Sequence, residues 1–506
     1  MRVLLAASEV AGFAKTGGLA DVAGALPRAL ARMGVDCQVV MPLFDSCLRT
    51  GRCEPTNLRC RVPVGPGDGV EVEFWRSTLP GSAVPVWFVS SGDMFNRDQP
   101  EYGRSLYQFA GTDGSRRDYP DNGARFALFA RAALELPRML DWWPDTIHAN
   151  DWQTGLLPVY LRQHLDNHPD PGVAERARRV STLFTIHNIA YQGAFPPSMM
   201  EWARLDWQLY NPLQLEFYHQ LNFLKAGLVF ADQISTVSPT YSREIQTPWF
   251  GCGMQGVLVE RADRLSGIVN GVDYEEWNPA VDPHLPARYD ESSFETHKPE
   301  CKRMLQTRLG LPALPERPVL GMIARLVEQK GFDILRPAAQ AFLTHGAQLV
   351  VLGVGDSRHR QMLRGLADQY PNQVGVYLGF DEKLAHLIEA GSDAYLMPSQ
   401  YEPSGLNQLY SLKYGTPPIV RGTGGLADTV TDTNEATLAD GTATGFVFQE
   451  YTAEALRDCG LRALHLWSQR HDQWNAVVRN GMRQDWSWSR SAQSYLALYR
   501  KMRRGG

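Results

Sequence analysis

The hexapeptide Thr-Gly-Gly-Leu-Ala-Asp occurs twice, at Thr16–Asp21 and at Thr423–Asp428. Each copy follows an apolar run and opens a segment with helical spacing of its apolar residues. Arg2–Ala7 reads as a buried strand and Ser8–Gly18 as a loop of small residues. Leu19, Val22, Leu26, Leu30 and Met33 then recur at helix period up to Gly34, and Cys37–Met41 is a second apolar run. This strand–loop–helix–strand order is the unit of a parallel sheet. The second copy implies a second domain of the same architecture; the alternative is two helix starts that converged on similar chemistry, because Gly-rich strand-to-helix turns are generic in such folds. The chain has 506 residues, whereas one hydrophobic core rarely grows past ~250–300.

Short apolar runs continue the pattern. Thr146–Ala149, Thr182–Ile186 and Gln233–Val237 belong to the first series. Val319–Ile323, Gln348–Leu352, Val374–Leu378, Ala394–Met397 and Pro418–Val420 belong to a second, after Asn270-Gly271-Val272-Asp273. The expected division is residues 1–265, residues 266–481, and a C-terminal helix over 482–506 that packs back on the first domain. Glu276–Pro299, rich in Pro, Asp and Glu, reads as a long surface loop.

Composition excludes several classes. Hydrophobic residues make up 44% and charged residues 21%, with a net charge of −5, so neither nucleic acid nor an anionic membrane is an expected partner. Seven cysteines with no CxxC pair argue against a disulfide framework or zinc cluster and fit a reducing cytoplasm. No apolar run approaches the ~18 residues of a membrane helix. The apolar start, ended by Glu9, reads as a strand rather than an export signal.

Candidate chemistry lies where strands end, since ligands of open α/β sheets bind at the carboxyl ends of strands. In Lys15-Thr16-Gly17-Gly18, glycines at a helix start allow close backbone approach, and the N–H groups, the helix dipole and Lys15 favour phosphate. Alone, it could equally be a structural turn. Arg325 and Lys330 flank the end of Val319–Ile323 and could converge on a diphosphate leaving group; alone, they could be a solvated basic turn. Glu402 stands in a tight turn, Pro403-Ser404-Gly405-Leu406, whose backbone N–H groups can bind sugar or phosphate oxygens. His187 ends Thr182–Ile186 and could face a sugar, or be structural. Asp151-Trp152 is an acid beside an aromatic, a frequent sugar-binding pair, but Trp152 could equally be core.

Taken together the segments resemble the glycogen/starch synthases of the GT-B superfamily. The resemblance rests on KTGGLADV (15–22), HANDWQTGL (148–156), TIHNIAYQG (185–193), FLKAGLVFAD (223–232), TVSPTYSREI (236–245), IVNGVDYEEWNP (268–279), ARLVEQKGFD (324–333), EPSGLNQLYSLKYG (402–415) and GTGGLADTV (422–430), in family order over nearly the whole chain. It implies an α/β fold of two Rossmann-like domains facing each other across a cleft. It implies a retaining glucosyltransferase that adds glucose from ADP-glucose to the non-reducing end of an α-1,4-glucan, glycogen or a maltooligosaccharide, with UDP-glucose the nearest alternative donor.

By the same resemblance His187, Arg325, Lys330 and Glu402 carry the transfer. Lys15, Gly17, Gly18, Asp21, Asn270, Phe380, Ser404, Gly405 and Leu406 hold the donor, and Asp151, Trp152 and Tyr191 face the acceptor. Phe380 stands where the family commonly has Tyr against the adenine. No cofactor or metal is expected, because Arg and Lys can neutralise the diphosphate and no DxD-type or His/Cys cluster is evident. Ser404, Asn150 and Gln153 depart from the usual Cys, His and His, and Arg104–Tyr119 looks longer and more polar than usual. A glucan-binding relative that lost catalysis is the non-enzyme alternative; a nicotinamide dehydrogenase is excluded, since no G-x-G-x-x-G follows the first strand.

Overall fold

Central parallel strands are covered on both faces and so are buried along their length. Thr146–Asn150 and Ser181–Ile186 are buried at every position. A computed structural model describes residues 1–97, 106–110 and 116–503, so the Arg104–Tyr119 region lies partly outside the described residues. The chain divides into two compact units. Unit 1 comprises Met1–Val237, Ser242–Gly271 and Trp488–Gly506; unit 2 comprises Ser238–Tyr241 and Val272–Ser487. The breaks fall after Gly271 and Ser487, a few residues beyond the 265 and 481 expected from sequence.

Unit 1 is built on β1 (Arg2–Ala6), β2 (Asp36–Pro42), β3 (Glu54–Val62), β4 (Val70–Thr78), β5 (Pro85–Ser90), β6 (Thr146–Asn150), β7 (Ser181–Ile186), β8 (Gln233–Thr236) and β9 (Leu265–Gly267). Among the described residues they form one sheet in the order β9-β8-β7-β6-β1-β2-β5-β4-β3. Pairing is parallel from β9 to β5 and antiparallel across β5-β4-β3. Strands β3 to β5 were not named from sequence: β3 alternates exposed and half-buried residues on an edge and offers no continuous apolar run.

The helix Gly18–Arg32 buries Leu19, Val22, Leu26 and Leu30 and packs on the C-terminal helix Trp488–Met502. That last helix therefore belongs to unit 1, although some 216 residues of unit 2 separate it from Gly271. It is fastened to β6 by His148, whose Nδ1 lies 2.8 Å from the Tyr499 hydroxyl and whose Nε2 lies 2.6 Å from Thr185 Oγ1. Burial lowers the His148 pKa to about 3, so the ring is neutral at physiological pH.

Unit 2 holds β10 (Val319–Leu326), β11 (Gln348–Gly355), β12 (Val374–Tyr377), β13 (Ala394–Met397), β14 (Pro418–Arg421) and β15 (Phe446–Phe448). All pair in parallel, in the order β12-β11-β10-β13-β14-β15. This is the doubly wound 3-2-1-4-5-6 order, with its switch point between β10 and β13. One expectation is corrected here. Glu276–Pro299 is not a surface loop throughout: the helix Phe294–Arg308 starts inside it, with Pro299 within its first turns, and Leu285 and Tyr289 are buried in the unit 2 core. Proline and acidic residues suit both loops and helix starts, so composition did not separate the two. Among the described residues no helix is long and apolar enough to cross a membrane, and all seven cysteines are free thiols.

Candidate active site

In unit 1 the ends of β1, β6 and β7 are neighbours, because Ala6 pairs with Ala149 and Asn150 with Thr185. The register brings the Lys15 loop, Asp151 and His187 to one edge of the sheet. Lys15 Nζ is 2.6 Å from Asp21 Oδ1, in the first turn of the helix that follows. Burial raises the Asp21 pKa, and Lys15 opposes the rise. Gly17 has an extended backbone (φ −154°), and a Cβ added there would meet nothing within 4 Å; the backbone face beside Lys15 is open.

Glu9, which sequence reasoning treated only as the end of an apolar run, organises this loop. Its Oε1 accepts from Thr16 Oγ1 at 2.6 Å and from the Tyr107 hydroxyl at 2.8 Å, and its Oε2 accepts from the N–H groups of Thr16 and Gly17, the latter at 3.2 Å. A carboxylate thus sits on the free N–H groups ahead of the helix, where the dipole favours an anion. An acid at the end of the first strand, before a helix start, was the available signal.

His187 is fixed at both ends. Its backbone N–H donates to Asp151 Oδ1 at 2.7 Å. Its Nε2 lies 2.9 Å from Asn150 Oδ1. Asn150 Nδ2 donates to the carbonyls of Ala6 at 3.1 Å and His148 at 3.2 Å, which leaves Oδ1 as the atom facing His187. His187 Nε2 therefore carries the proton and Nδ1 the lone pair. Desolvation lowers the His187 pKa to about 3, so the ring is neutral.

Asp151 holds a left-handed backbone (φ 55°), a strained state for a residue with a side chain. Its carboxyl is buried, and desolvation raises its pKa to about 7 against the backbone N–H groups of His187 and Asn188. Trp152 is only 9% exposed, with Phe126 edge-on at 5.0 Å between centroids and Phe195 at 5.8 Å. Gly193 presses on it so closely that a Cβ would fall 2.2 Å from its ring. Trp152 is thus packed as core, whereas Tyr191 is 51% exposed. Asn270 is buried, and its Oδ1 has no hydrogen-bond partner.

In unit 2, Lys330 and Glu402 meet at the switch point. Lys330 Nζ is 2.5 Å from Glu402 Oε2, which also accepts from Ser399 Oγ at 2.9 Å. Gln329 Nε2 donates to the Tyr401 carbonyl at 2.9 Å, and the Gln400 N–H donates to the Gln329 carbonyl at 2.8 Å. The two loops are thereby laced together. Arg325, at the end of β10, is exposed, as is Phe380. Gly405 has φ +66° and ends the turn begun at Pro403, with Leu406 capping the helix Asn407–Lys413.

The second hexapeptide copy packs under the Glu402 turn. The Gly425 N–H donates to the Glu402 carbonyl at 3.1 Å. A Cβ on Gly424 would come within 2.0 Å of the Glu402 oxygen, and one on Gly425 within 1.9 Å of the Ser404 oxygen. Asp428, the counterpart of Asp21, accepts from Thr240 Oγ1 at 2.7 Å and from Ser238 Oγ. Both copies open helices after strands, but the first presents an open backbone face while the second is filled by the turn it supports.

Comparison with known proteins decides the family. A profile of the starch synthase catalytic domain matches residues 2–260, and one of glycosyl transferases group 1 matches residues 310–477. The chain belongs to the glycogen/starch synthase family. It is 47% identical to a glycogen synthase of Thioalkalivibrio sulfidiphilus, over 99% of this chain and all of that one. It is 45% identical to a glycogen synthase of Anaeromyxobacter dehalogenans over the full length of both. The catalytic domain of starch synthase IV from Arabidopsis thaliana, bound to ADP and acarbose, superposes with a TM-score of 0.87 at 32% identity and covers 99% of both chains. A sucrose-phosphate synthase from Thermosynechococcus elongatus shares the fold at a TM-score of 0.54 and 17% identity. Membership makes the protein a GT-B enzyme that transfers glucosyl groups.

Proposed function

We propose that the enzyme extends α-1,4-glucans at their non-reducing ends with glucose from ADP-glucose, retaining the α configuration, in the synthesis of glycogen in the cytoplasm. The observation that carries this reading is the Lys330–Glu402 pair at the switch point of unit 2, 2.5 Å apart, in a family whose solved relative is described as bound to ADP and acarbose. In this reading Arg325 and Lys330 take the diphosphate, and Glu402 takes glucose hydroxyls through the oxygen not committed to Lys330. Ser404, Gly405 and Leu406 offer backbone N–H groups, Asn270 an amide, and Phe380 a stacking face for the base. In unit 1, Lys15 takes phosphate oxygens beside Asp21, and Gly17 and Gly18, free of side chains, admit close approach, the Gly17 N–H being held by Glu9. His187 lies beside the anomeric carbon, and Asp151 and Tyr191 serve the acceptor. Trp152 acts there as packing beneath Gly193.

The bond from glucose C1 to the diphosphate oxygen breaks as the acceptor O4 bonds to C1 on the same face. The O4 proton passes to the departing phosphate. Fixed cations lower the barrier by stabilising charge that builds on the leaving group, so the residues need no metal and no carboxylate nucleophile. A neutral His187 with its proton on Nε2 adds no full charge beside a developing oxocarbenium.

Purified protein supplied with a maltooligosaccharide and either ADP-glucose or UDP-glucose tests the reading. Elongation with faster turnover on ADP-glucose is expected. A preference for UDP-glucose would overturn the donor assignment, and no incorporation from either would overturn the reaction.

A further inference from the structure

The helix Glu382–Gly391 places Glu382 and His386 one turn apart on one face. The same i, i+4 spacing serves metal-binding helices, because both side chains reach one point above the helix. Glu276, from the loop between Asp273 and Trp277, reaches the same point. One ligand atom from each of Glu276, Glu382 and His386 lies within 4.8 Å of the others. Glu276 and Glu382 are exposed and His386 is 1% exposed.

Acidic side chains gather on many surfaces without purpose; the decisive feature here is the buried imidazole. His386 Nδ1 is 2.7 Å from Asp282 Oδ2, which also accepts from the Tyr414 hydroxyl at 2.6 Å. The Nδ1–H donates to Asp282, which fixes the tautomer and leaves the lone pair on Nε2. The ring is held flat by Trp277, stacked on it at 4.0 Å and 10°. Its other nitrogen, Nε2, is buried and has no hydrogen-bond partner. A buried nitrogen left unsatisfied carries a cost that a bound ion would remove.

We propose that Glu276, Glu382 and His386 form a structural site for a first-row divalent cation, with Zn²⁺ the best match. One imidazole and two carboxylates suit such ions, and solvent completes the shell. Carboxylate–His–cation order, here Asp282–His386–cation, is the usual support for an imidazole ligand. Tetrahedral ligands bound at ~2.0–2.2 Å lie ~3.3–3.6 Å apart, so closing from within 4.8 Å asks the two exposed carboxylates to draw in by up to ~1.5 Å. The ion would clamp the loop after Val272 to the helix Glu382–Gly391. None of its ligands is assigned to glucosyl transfer, so the site stands apart from the metal-free chemistry proposed above. Sequence spacing hid it, because Glu276 lies more than a hundred residues from Glu382.

The test uses the full chain after dialysis against a chelator. Co²⁺ is titrated with detection of its ligand-field absorption, Zn²⁺ binding is measured by calorimetry, and both are repeated on the Glu276→Gln, Glu382→Gln double variant. One equivalent should bind with a Co²⁺ spectrum of mixed nitrogen and oxygen ligands. Zn²⁺ should raise the melting temperature of the wild-type chain. The double variant should lose the Zn²⁺ shift and bind at least ~10-fold more weakly. No saturable binding at one equivalent, thiolate-type Co²⁺ absorption, or equal affinity in the double variant would overturn the proposal.

Discussion

His187 Nε2 donates to Asn150 Oδ1 at 2.9 Å, and Oδ1 faces it because the Asn150 amide nitrogen is spent on the carbonyls of Ala6 on the neighbouring strand and His148 on its own. A residue at the carboxyl end of a buried central strand thus sets which nitrogen of the His187 ring bears the proton. Asn150→Leu keeps the volume but leaves that N–H without an acceptor. We expect kcat to fall ~10-fold or more, with the donor KM changed little, because ring orientation matters most where charge develops. Steady-state kinetics on both substrates check this; an unchanged kcat would show the tautomer to be irrelevant.

Lys330→Ala and Glu402→Gln should each reduce kcat by ~10²- to 10³-fold, the usual cost of losing one transition-state group. Since the two side chains form one pair, the double variant should lose much less than the product of the single losses. Circular dichroism and turnover measured together separate this from unfolding. Independent, multiplying losses would mean that the pair does not act as a unit.

The two copies of the hexapeptide should respond differently to alanine. Gly17→Ala meets no atom and needs no unusual φ, so its melting temperature should match wild type while the KM for the donor rises. Gly424→Ala must displace the Glu402 carbonyl and adopt φ +46°, so stability should fall by ~1–3 kcal/mol and turnover with it. A stable, active Gly424→Ala enzyme would contradict the packing.

Buried His148 and His187, with folded pKa values near 3, contribute stability that is full above their unfolded pKa of ~6.5 and is lost as pH falls toward 3. Asp151, raised to about 7, acts in the opposite sense: its contribution is full below ~3.9 and is lost as pH rises toward 7. Across pH 4 to 7 the two oppose each other. Asp151→Asn removes only the falling limb, so urea unfolding of the variant should show stability rising more steeply with pH than wild type. Parallel profiles would show that Asp151 is ionised throughout.

What the sequence revealed and what it hid divide along physical lines. The strand ends carrying His187, Arg325 and Lys330 were legible because apolar runs and glycine-rich turns are local signals. The helical start at Gly18 and the C-terminal helix were legible for the same reason. Glu9 on the Lys15 loop, Asp428 on Ser238 and Thr240, and Asn150 on His187 were not, because each is a polar contact fixed by strand register or tertiary packing. Trp152 shows the ambiguity of an aromatic beside an acid: its exposure was set by Gly193, a residue whose sequence context says nothing of what it touches. The antiparallel edge β3 to β5 was missed because half-exposed strands mix polar and apolar residues.

The His148–Tyr499 contact joins residues 351 positions apart, and it has a consequence for how the protein is made. A ribosome synthesises the chain from its amino end, so β6 emerges well before its partner helix, with Val272–Ser487 of unit 2 translated between them. The first unit must therefore wait, with the face that receives Tyr495 and Tyr499 uncovered, until all of the second unit has been translated. Nascent chains halted before residue 488 should expose that face and bind holding chaperones, and emergence of the helix Trp488–Met502 should end the wait.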